Sequence, residues 1–393
     1  MCTMVRTAVI GFGNMGSAHV AAISQGKIEG LSLYGVCDVA PLRREACREK
    51  YPTAKLYENY QQVLEDSLVE AVIIATPHPF HADIAMAALR AGKHVLVEKP
   101  VDVAVSKAMR LNEVAAECDR VFALMLNQRT DPIFQKARQM IQSGELGEIR
   151  RSVWVITNWY RTQHYYDSAT WRATWKGEGG GVLLNQAPHN LDLWQWICGM
   201  PVSLRAFCNV AKYHRIEVED DVTILARYEN GGEGVFITST GEYPGTNRLE
   251  ITGDRGKLVL ENGVLHHWKL AQSEKEFRFE SEENFAHIPM EYSEYKPETQ
   301  GAGHAGILQN FADAILHGEK LLSPGQEGIK ELSISNAAYL SQWNGNKEIP
   351  IPFEPALFDE FLKERIRDSA ERDRSGSNNP LYEGYSERWQ VNW

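Results

Sequence analysis

Lys99 is the first side chain of this sequence that could do chemistry. It follows the apolar segment His94–Val97, which predicts a strand, and it precedes Pro100. Ligands bind at the carboxyl ends of the strands in open parallel sheets, and a lysine there can orient a hydroxyl, stabilise an alkoxide or relay a proton. A surface lysine at a strand end is the commoner alternative. The sequence Glu98-Lys99-Pro100 favours a functional lysine at this edge of the sheet.

A second set of polar side chains follows the triple glycine at residues 179–181. Pro188 suits the first turn of a helix, and Gly199 suits its end. Positions at i, i+4, i+7 and i+11 share one helical face, and here they are occupied by Asn185, His189, Asp192 and Trp196. Such a stripe is more often a solvated face or a set of satisfied core polar groups than a catalytic site. Residue types alone leave both interpretations open.

The sequence GFGNMG at residues 11–16 predicts a dinucleotide site. It has G-x-G-x-x-G spacing and lies between the predicted strand Val5–Ile10 and the predicted helix Met15–Ser24. The glycines permit a tight turn, close approach of the backbone to a pyrophosphate, and packing of the helix on the strand. The phosphates then lie at the helix N-terminus. The residues expected to hold the cofactor here are Gly11, Phe12, Gly13, Asn14, Met15 and Gly16.

Asp38 closes the next apolar segment, Leu31–Cys37, at about the distance expected of an acid that binds ribose. Its carboxylate can accept both ribose hydroxyls of NAD and would repel the 2′-phosphate of NADP. We therefore predict NAD as the cofactor. Arg43 and Arg44 follow closely, so tolerance of NADP stays open.

The elements that position these residues are predicted from the pattern of the chain. Short apolar segments alternate with amphipathic helical segments over residues 1–127, which predicts an α/β Rossmann domain. Strand-like segments joined by Asn-Gly and Gly-Gly turns follow. They predict an α+β domain with a large, mostly antiparallel open sheet over residues 128–363. Residues 364–393 are charged and polar, so we expect a loosely ordered tail. Trp389 and Trp393 raise the hypothesis that its end docks on a neighbouring subunit.

Composition excludes several classes of function. The chain has 393 residues and a net charge of −11, which disfavours a nucleic-acid surface. No apolar run reaches the length of a membrane span, and the first strand begins too early to leave room for a signal peptide. The cysteines lack C-x-x-C pairs, which favours a reducing cytoplasm. The histidines are dispersed without metal-ligand spacing, so we expect no metal.

Together the motifs resemble the glucose–fructose oxidoreductase/inositol dehydrogenase (Gfo/Idh/MocA) family. The resemblance rests on the glycine loop, on Ala75-Thr-Pro-His-Pro-Phe-His81, on Glu98-Lys99-Pro100 and on residues 179–192, and it covers about residues 5–350. It implies NAD(P)-dependent oxidoreduction of sugars or polyols and a cis Lys99–Pro100 bond. It also implies a homo-oligomer, a dimer or tetramer, formed through the sheet of the second domain.

The resemblance also implies roles for the polar stripe. His189 would be the general base that takes the hydroxyl proton as hydride leaves the carbinol carbon. The family usually has aspartate where this chain has Asn185, and an amide cannot accept a proton as a carboxylate can. The proton path then falls mainly on His189 and Lys99, while Asn185 can still bind a substrate hydroxyl. Which residue is the general base stays open.

Further candidates surround these groups. Aromatic faces with Arg and Asn suit a carbohydrate, although core packing explains some of the tryptophans between Trp154 and Trp196. His304 resembles a family position that faces the pocket. The predicted substrate-binding residues are Arg161, His164, Tyr165, Arg172, Asn185, His189 and His304. In the cofactor crevice, beyond the glycine loop and Asp38, we expect Thr76, Pro77, His78, His81, Glu98, Lys99 and Asn127, with both histidines in positioning or structural roles.

The prediction is therefore an NAD-dependent oxidoreductase acting on a carbinol of a sugar, glycoside or polyol, with hydride passing to nicotinamide C4. Oxidation of a glycoside 3-hydroxyl is its narrower form, because the Asn-Gln-Ala-Pro-His variant is similar to family members that act on glycosides. Two alternatives remain. A permanently bound NAD could support redox-neutral cleavage of a glycoside by oxidation, elimination and reduction. The chain could also be a non-catalytic NAD-binding regulator, which the presence of Lys99 and His189 disfavours.

Overall fold

The computed structural model describes residues 4–369, so Trp389 and Trp393 lie outside the described residues. The first part of the chain forms a six-stranded sheet in the order β3-β2-β1-β4-β5-β6, with every pair parallel. Its strands are β1 (Val5–Ile10), β2 (Leu31–Cys37), β3 (Lys55–Tyr57), β4 (Ala71–Ile74), β5 (His94–Val97) and β6 (Phe122–Leu124). The helices that accompany them are α1 (Asn14–Ser24), α2 (Pro41–Lys50), α3 (Tyr60–Glu65), α4 (His81–Arg90), α5 (Val105–Glu117) and α6 (Pro132–Gln142).

The second sheet has nine strands in the order β14-β13-β12-β11-β7-β10-β9-β8-β15. All its pairs are antiparallel except β7 with β10. Its strands are β7 (Ile149–Ile156), β8 (Ser203–Val210), β9 (Glu219–Arg227), β10 (Glu233–Ser239), β11 (Asn247–Gly253), β12 (Gly256–Glu261), β13 (Val264–Leu270), β14 (Met290–Tyr295) and β15 (Ile349–Pro350). The remaining helices are α7 (Gln163–Asp167), α8 (Val182–Asn185), α9 (Pro188–Cys198), α10 (Glu274–Glu280), α11 (Gly303–His317), α12 (Gly328–Trp343) and α13 (Pro355–Asp368). The predicted fold class is confirmed.

Alternate residues of the first sheet belong to two separate apolar clusters. Val72 and Ile74 point into one cluster, and Ile73 points into the other. Burial on both faces is why these strands are continuous apolar segments. Helix α11 contributes Ile307 and Phe311 to the second cluster. The chain therefore returns from the second sheet to cover the first one.

The predicted tail begins inside a helix. The expected boundary after residue 363 falls within α13, whose Phe358 and Leu362 are buried. The rest of the predicted tail, residues 370–393, lies outside the described part of the chain.

The polar stripe does not lie on one helix, so that prediction is wrong for Asn185. Asn185 ends the short helix α8, and Pro188 begins α9. Proline has no N–H to donate and its fixed φ suits the first turn, so a new helix starts there. The Glu219 carboxylate accepts the backbone N–H groups of Gly181 and Leu183 and the Tyr339 hydroxyl, which fixes the start of α8.

Asp192, which the predicted stripe placed on one face with His189, forms a buried ion pair. Its carboxylate accepts from Arg129 at 2.8 Å and 2.6 Å, and both side chains are buried. Arg129 also donates to the Leu322 carbonyl at 3.2 Å and pairs with Glu327 at 2.5 Å. This network connects the segment after β6 to α9 and to the segment before α12.

Replacement of Arg129 by methionine would leave the Asp192 carboxylate buried without its counter-charge. We expect Arg129→Met to lower the free energy of unfolding by about 3–5 kcal/mol, measured by urea denaturation. Arg278→Met is the control, because Arg278 pairs with Glu274 on the exposed α10 and its loss should be far smaller. Equal losses of unfolding free energy in the two variants would contradict a stabilising role of the buried pair of Arg129 and Asp192.

Candidate active site

The loop after β1 has the shape that a diphosphate needs. Gly11 has φ +98°, and a Cβ there would lie 2.4 Å from the Ala75 carbonyl oxygen. A Cβ on Gly16 would lie 1.8 Å from the Gly11 carbonyl oxygen, so α1 packs directly against the turn. A Cβ on Gly13 would meet nothing nearer than Arg43 at 3.6 Å. The middle glycine therefore has no close backbone neighbour beside the α1 N-terminus, where a phosphate would bind.

Asp38 lies beside this loop at the carboxyl end of β2. Its carboxylate is buried and accepts the backbone N–H groups of Phe12 and Ala40, each at 2.8 Å. Arg43 approaches the same carboxylate to 3.6 Å, and Arg44 donates to the Asp38 carbonyl at 2.8 Å. The acid is thus held in position for a ribose, with two cations next to it.

Two histidines predicted near the cofactor hold the loops of the crevice. The ring nitrogens of His81 lie 2.7 Å from the Thr76 and Pro100 carbonyl oxygens, which ties the loop after β4 to the loop after β5. His78 is buried with Nδ1 3.1 Å from the Glu178 carbonyl oxygen. The Lys99–Pro100 bond is cis, as predicted.

Glu98 is held by a partner that the sequence did not reveal. The buried His19 on α1 contacts the Glu98 carboxylate at 2.7 Å. Burial alone would raise the pKa of Glu98, but the hydrogen bond with His19 and the electrostatic effects of His19, His304 and Lys99 together outweigh it and lower that pKa to about 2. Glu98 therefore carries a negative charge directly before Lys99.

Lys99 follows β5 of the first sheet, and His189 on α9 lies close enough for the charge of Lys99 to act on its imidazole. Lys99 Nζ donates to the Asn185 backbone carbonyl at 2.7 Å. Burial, and next the charge of Lys99, lower the pKa of His189 well below its usual value. The imidazole is therefore neutral at pH 7 and able to accept a proton. The pKa of Lys99 is lowered by burial, against the opposing charges of Glu98 and Glu178.

Several buried polar atoms around this edge lack hydrogen-bond partners among residues 4–369: Thr76 Oγ1, Asn127 Oδ1 and His189 Nδ1. Buried polar atoms are normally paired. The Asn127 amide nitrogen has only a long contact, 3.5 Å, with His304 Nδ1, and burial lowers the pKa of His304 to about 4. These atoms fit a polar ligand lying between the two sheets, such as a nicotinamide with a hydroxylated substrate.

The candidate substrate residues form a network with one unpredicted member. Arg172 donates to the Tyr165 hydroxyl and stacks on its ring at 4.2 Å, while the Asn185 amide lies 3.4 Å from the same hydroxyl. The buried Glu178 carboxylate accepts from Asn185 and lies 3.9 Å from Arg172. One weak signal in the sequence could have pointed to Glu178, its position directly before the triple glycine.

Two other candidates lie apart from that network. The Arg161 guanidinium lies 5.1 Å from the centre of the Tyr165 ring, but it donates to the Trp159 and Tyr160 carbonyls. His164 is exposed on α7, and no described contact joins it to Tyr165 or Asn185. The structure therefore joins Tyr165, Arg172 and Asn185 in one network and leaves Arg161 and His164 outside its hydrogen bonds.

Comparison with known proteins agrees with this geometry. Residues 5–126 match the NAD-binding Rossmann fold of the oxidoreductase family, and residues 134–259 match the GFO/IDH/MocA C-terminal domain. The chain belongs to the Gfo/Idh/MocA family. The resemblance, the NAD cofactor and the oxidoreductase class predicted from the sequence are confirmed. The protein is thus an NAD-binding oxidoreductase of the sugar and polyol dehydrogenase type.

Individual relatives are distant. The chain is 27% identical to myo-inositol 2-dehydrogenase of Thermotoga maritima over 66% of this chain and 75% of that protein. It is similar to the WlbA dehydrogenase from Bordetella pertussis, solved with NADH and UDP-GlcNAcA (TM-score 0.74, 24% identity, 89% of this chain and 100% of that one). It is also similar to levoglucosan dehydrogenase, solved with NADH and levoglucosan (TM-score 0.71, 19% identity, 89% and 100% covered). The two structural likenesses show the fold.

Two searches of the described residues bear on other classes of function. Between residues 4 and 369, no helix has the length and apolar character needed to cross a membrane. Over the same residues, no group of three His, Cys, Asp or Glu side chains is placed to hold a metal ion.

Asp38→Ala tests the assignment of the ribose-binding acid. We expect NADH to bind about 10-fold more weakly, because charged hydrogen bonds to the ribose are lost. The ratio of the affinity for NADH to the affinity for NADPH should decrease, since the 2′-phosphate would no longer meet a carboxylate beside Arg43. Titration with both cofactors measures this, with Asp83→Ala on the exposed surface of α4 as the control. An unchanged preference in Asp38→Ala would refute the role of Asp38.

Proposed function

We propose that this protein oxidises a secondary hydroxyl of a sugar, glycoside or polyol. The observation that supports the proposal best is the buried, neutral His189 within electrostatic reach of Lys99, which directly follows β5. NAD, when bound, supplies the hydride acceptor. Gly11–Gly16 and Asp38 would hold it, with Thr76 and Asn127 offering unpaired polar atoms near its reactive end.

The protein's own residues would handle the hydroxyl and its proton. Neutral His189 takes the hydroxyl proton, and its buried Nδ1 has no hydrogen-bond partner within the described chain. Lys99 Nζ, already a donor to the Asn185 carbonyl at 2.7 Å, stabilises the developing alkoxide. Asn185 binds a hydroxyl and leaves the proton to His189.

The substrate class is supported by the walls of the site and by the relatives. The Arg172 guanidinium lies between the rings of Tyr165 and Trp171, at 4.2 Å and 4.7 Å from their centres. Such a wall offers aromatic faces for C–H groups together with donors for hydroxyls. Inositol and levoglucosan, named for two similar proteins, are both cyclic polyhydroxy compounds. Glycoside 3-oxidation is the narrower form of this proposal, and the homo-oligomer expected from the sequence stays a prediction.

A substrate screen with matched variants tests the function. We expect the wild type to form NADH, followed by its absorbance, from at least one cyclic polyol or glycoside. Lys99→Met and His189→Gln should each lower kcat/KM by about 10²–10⁴-fold, with NADH affinity unchanged. His317→Gln, exposed at the end of α11, is the control. Absence of NADH with every compound would refute the proposal, and release of free sugar without NADH would indicate redox-neutral cleavage instead.

The pH dependence tests the state of His189. A general base must be unprotonated, and burial together with Lys99 depresses the pKa of His189. We therefore expect kcat/KM for oxidation to be insensitive to His189 protonation above about pH 6.5, the ordinary histidine value, and to decline only at lower pH. A different result would contradict a neutral His189: a decline of kcat/KM whose midpoint lies at or above about pH 6.5 in the wild type and that disappears in the residual activity of His189→Gln.

A further inference from the structure

Glu178 is a carboxylate in direct contact with Asn185, the position where the family usually has aspartate. The Glu178 side chain is only 1% exposed. One oxygen of Glu178 accepts the Ala173 backbone N–H at 2.6 Å, and the other accepts from the Asn185 amide nitrogen. Asn185 in turn accepts from Lys99 through its backbone carbonyl at 2.7 Å. Asn185 therefore stands between the catalytic lysine and a buried carboxylate.

This contact fixes which way the Asn185 amide faces. An ionised carboxylate only accepts hydrogen bonds, so it must face the NH₂ end of the amide. The same nitrogen also lies 3.4 Å from the Tyr165 hydroxyl. The carbonyl oxygen of the amide is consequently turned away from Glu178. The Asn185 carbonyl oxygen is therefore available to accept a hydrogen bond. An aspartate could accept a hydrogen bond and also a proton, and an amide can perform only the first of these.

Glu178 also supplies the charge that Asn185 lacks. The pKa of Glu178 is raised overall by burial, although Arg172, the Ala173 N–H, the Asn185 amide and Lys99 act against that rise. The charge of Glu178, after that of Glu98 and together with that of Glu331, in turn raises the pKa of Lys99 against the effect of burial. A carboxylate thus acts on Lys99 although position 185 is neutral.

We propose that Glu178 is a positioning residue that takes over the carboxylate function missing at Asn185: it holds the amide oxygen of Asn185 toward the substrate hydroxyl and provides the negative charge beside Lys99. The inference rests on the proposed function for its kinetic consequences. It makes Glu178 and Asn185 an interdependent pair, in which one member carries a charge and the other is an amide.

A cycle of three variants tests this interdependence. Asn185→Asp alone places two carboxylates at hydrogen-bond distance, where one must take up a proton. Glu178→Gln alone removes the charge and lets position 178 present a donor to Asn185. In the double variant, the amide at position 178 can donate to the carboxylate at position 185, so one charge and one amide are restored in exchanged positions. We expect each single variant to lose about 10-fold or more in kcat/KM and the double variant to return to within about 3-fold of the wild type.

The pH profile separates a positioning role from a merely structural one. Without the Glu178 charge the pKa of Lys99 falls, so the alkaline limb of kcat/KM should move to lower pH in Glu178→Gln. Glu217→Gln is the control, because Glu217 caps the Trp175 backbone N–H at 2.7 Å in the same region; its profile should keep the wild-type limbs. An unmoved limb in Glu178→Gln, or losses that multiply in the double variant, would overturn the inference.

The same cycle is readable without turnover. The free energies of unfolding of the four proteins, measured in urea without substrate, should show the same recovery in the double variant, because the pairing exists in the free protein. If the wild type oxidises no polyol or glycoside, the proposed function fails while this recovery still supports the pairing. Additive losses of stability would refute the pairing itself, whatever the substrate.

Discussion

The buried pair of Arg129 and Asp192 is the constraint on which the active site depends. A guanidinium and a carboxylate removed from water are tolerated only when their geometry satisfies both, and here two hydrogen bonds of 2.8 Å and 2.6 Å join them. Asp192 lies one turn after His189 on α9. The pair therefore fixes His189 relative to the end of the first sheet, where Lys99 and Asn127 also lie. Arg129 also donates to the Leu322 carbonyl. The same guanidinium therefore holds the part of the chain that comes back from the second sheet to the first.

The first sheet was predictable because its strands are buried on both faces. Continuous apolar segments such as Leu31–Cys37 and His94–Val97 have the predicted bounds. Strand β3 was missed because it has three residues and its Lys55 is exposed. Strand β14, Met290–Tyr295, was also missed: it alternates apolar and polar residues only over its first four positions, and it is exposed along nearly its whole length, so it gives a weak signal of a half-buried strand.

The site was predictable only where a local motif encodes it. Lys99, Asp38 and the glycine loop each follow a strand that the sequence predicts, so their common edge could be inferred. The ion pair of Asp192 could not be predicted, because nothing in the helical pattern points to Arg129, 63 residues earlier. The pairing of Glu98 with His19 spans 79 residues and was equally invisible. Helical periodicity failed at Asn185, since Pro188 starts a new helix.

The charges around the reaction centre explain why a neutral residue is acceptable at position 185. Glu98, Glu178 and Glu331 act on Lys99, and His189 is neutral near pH 7 because burial, and next the charge of Lys99, lower its pKa. A further carboxylate at position 185 would add another charge to this buried group, where desolvation is costly. The pKa of Lys99 then depends more on the number of nearby carboxylates than on the sequence positions that supply them.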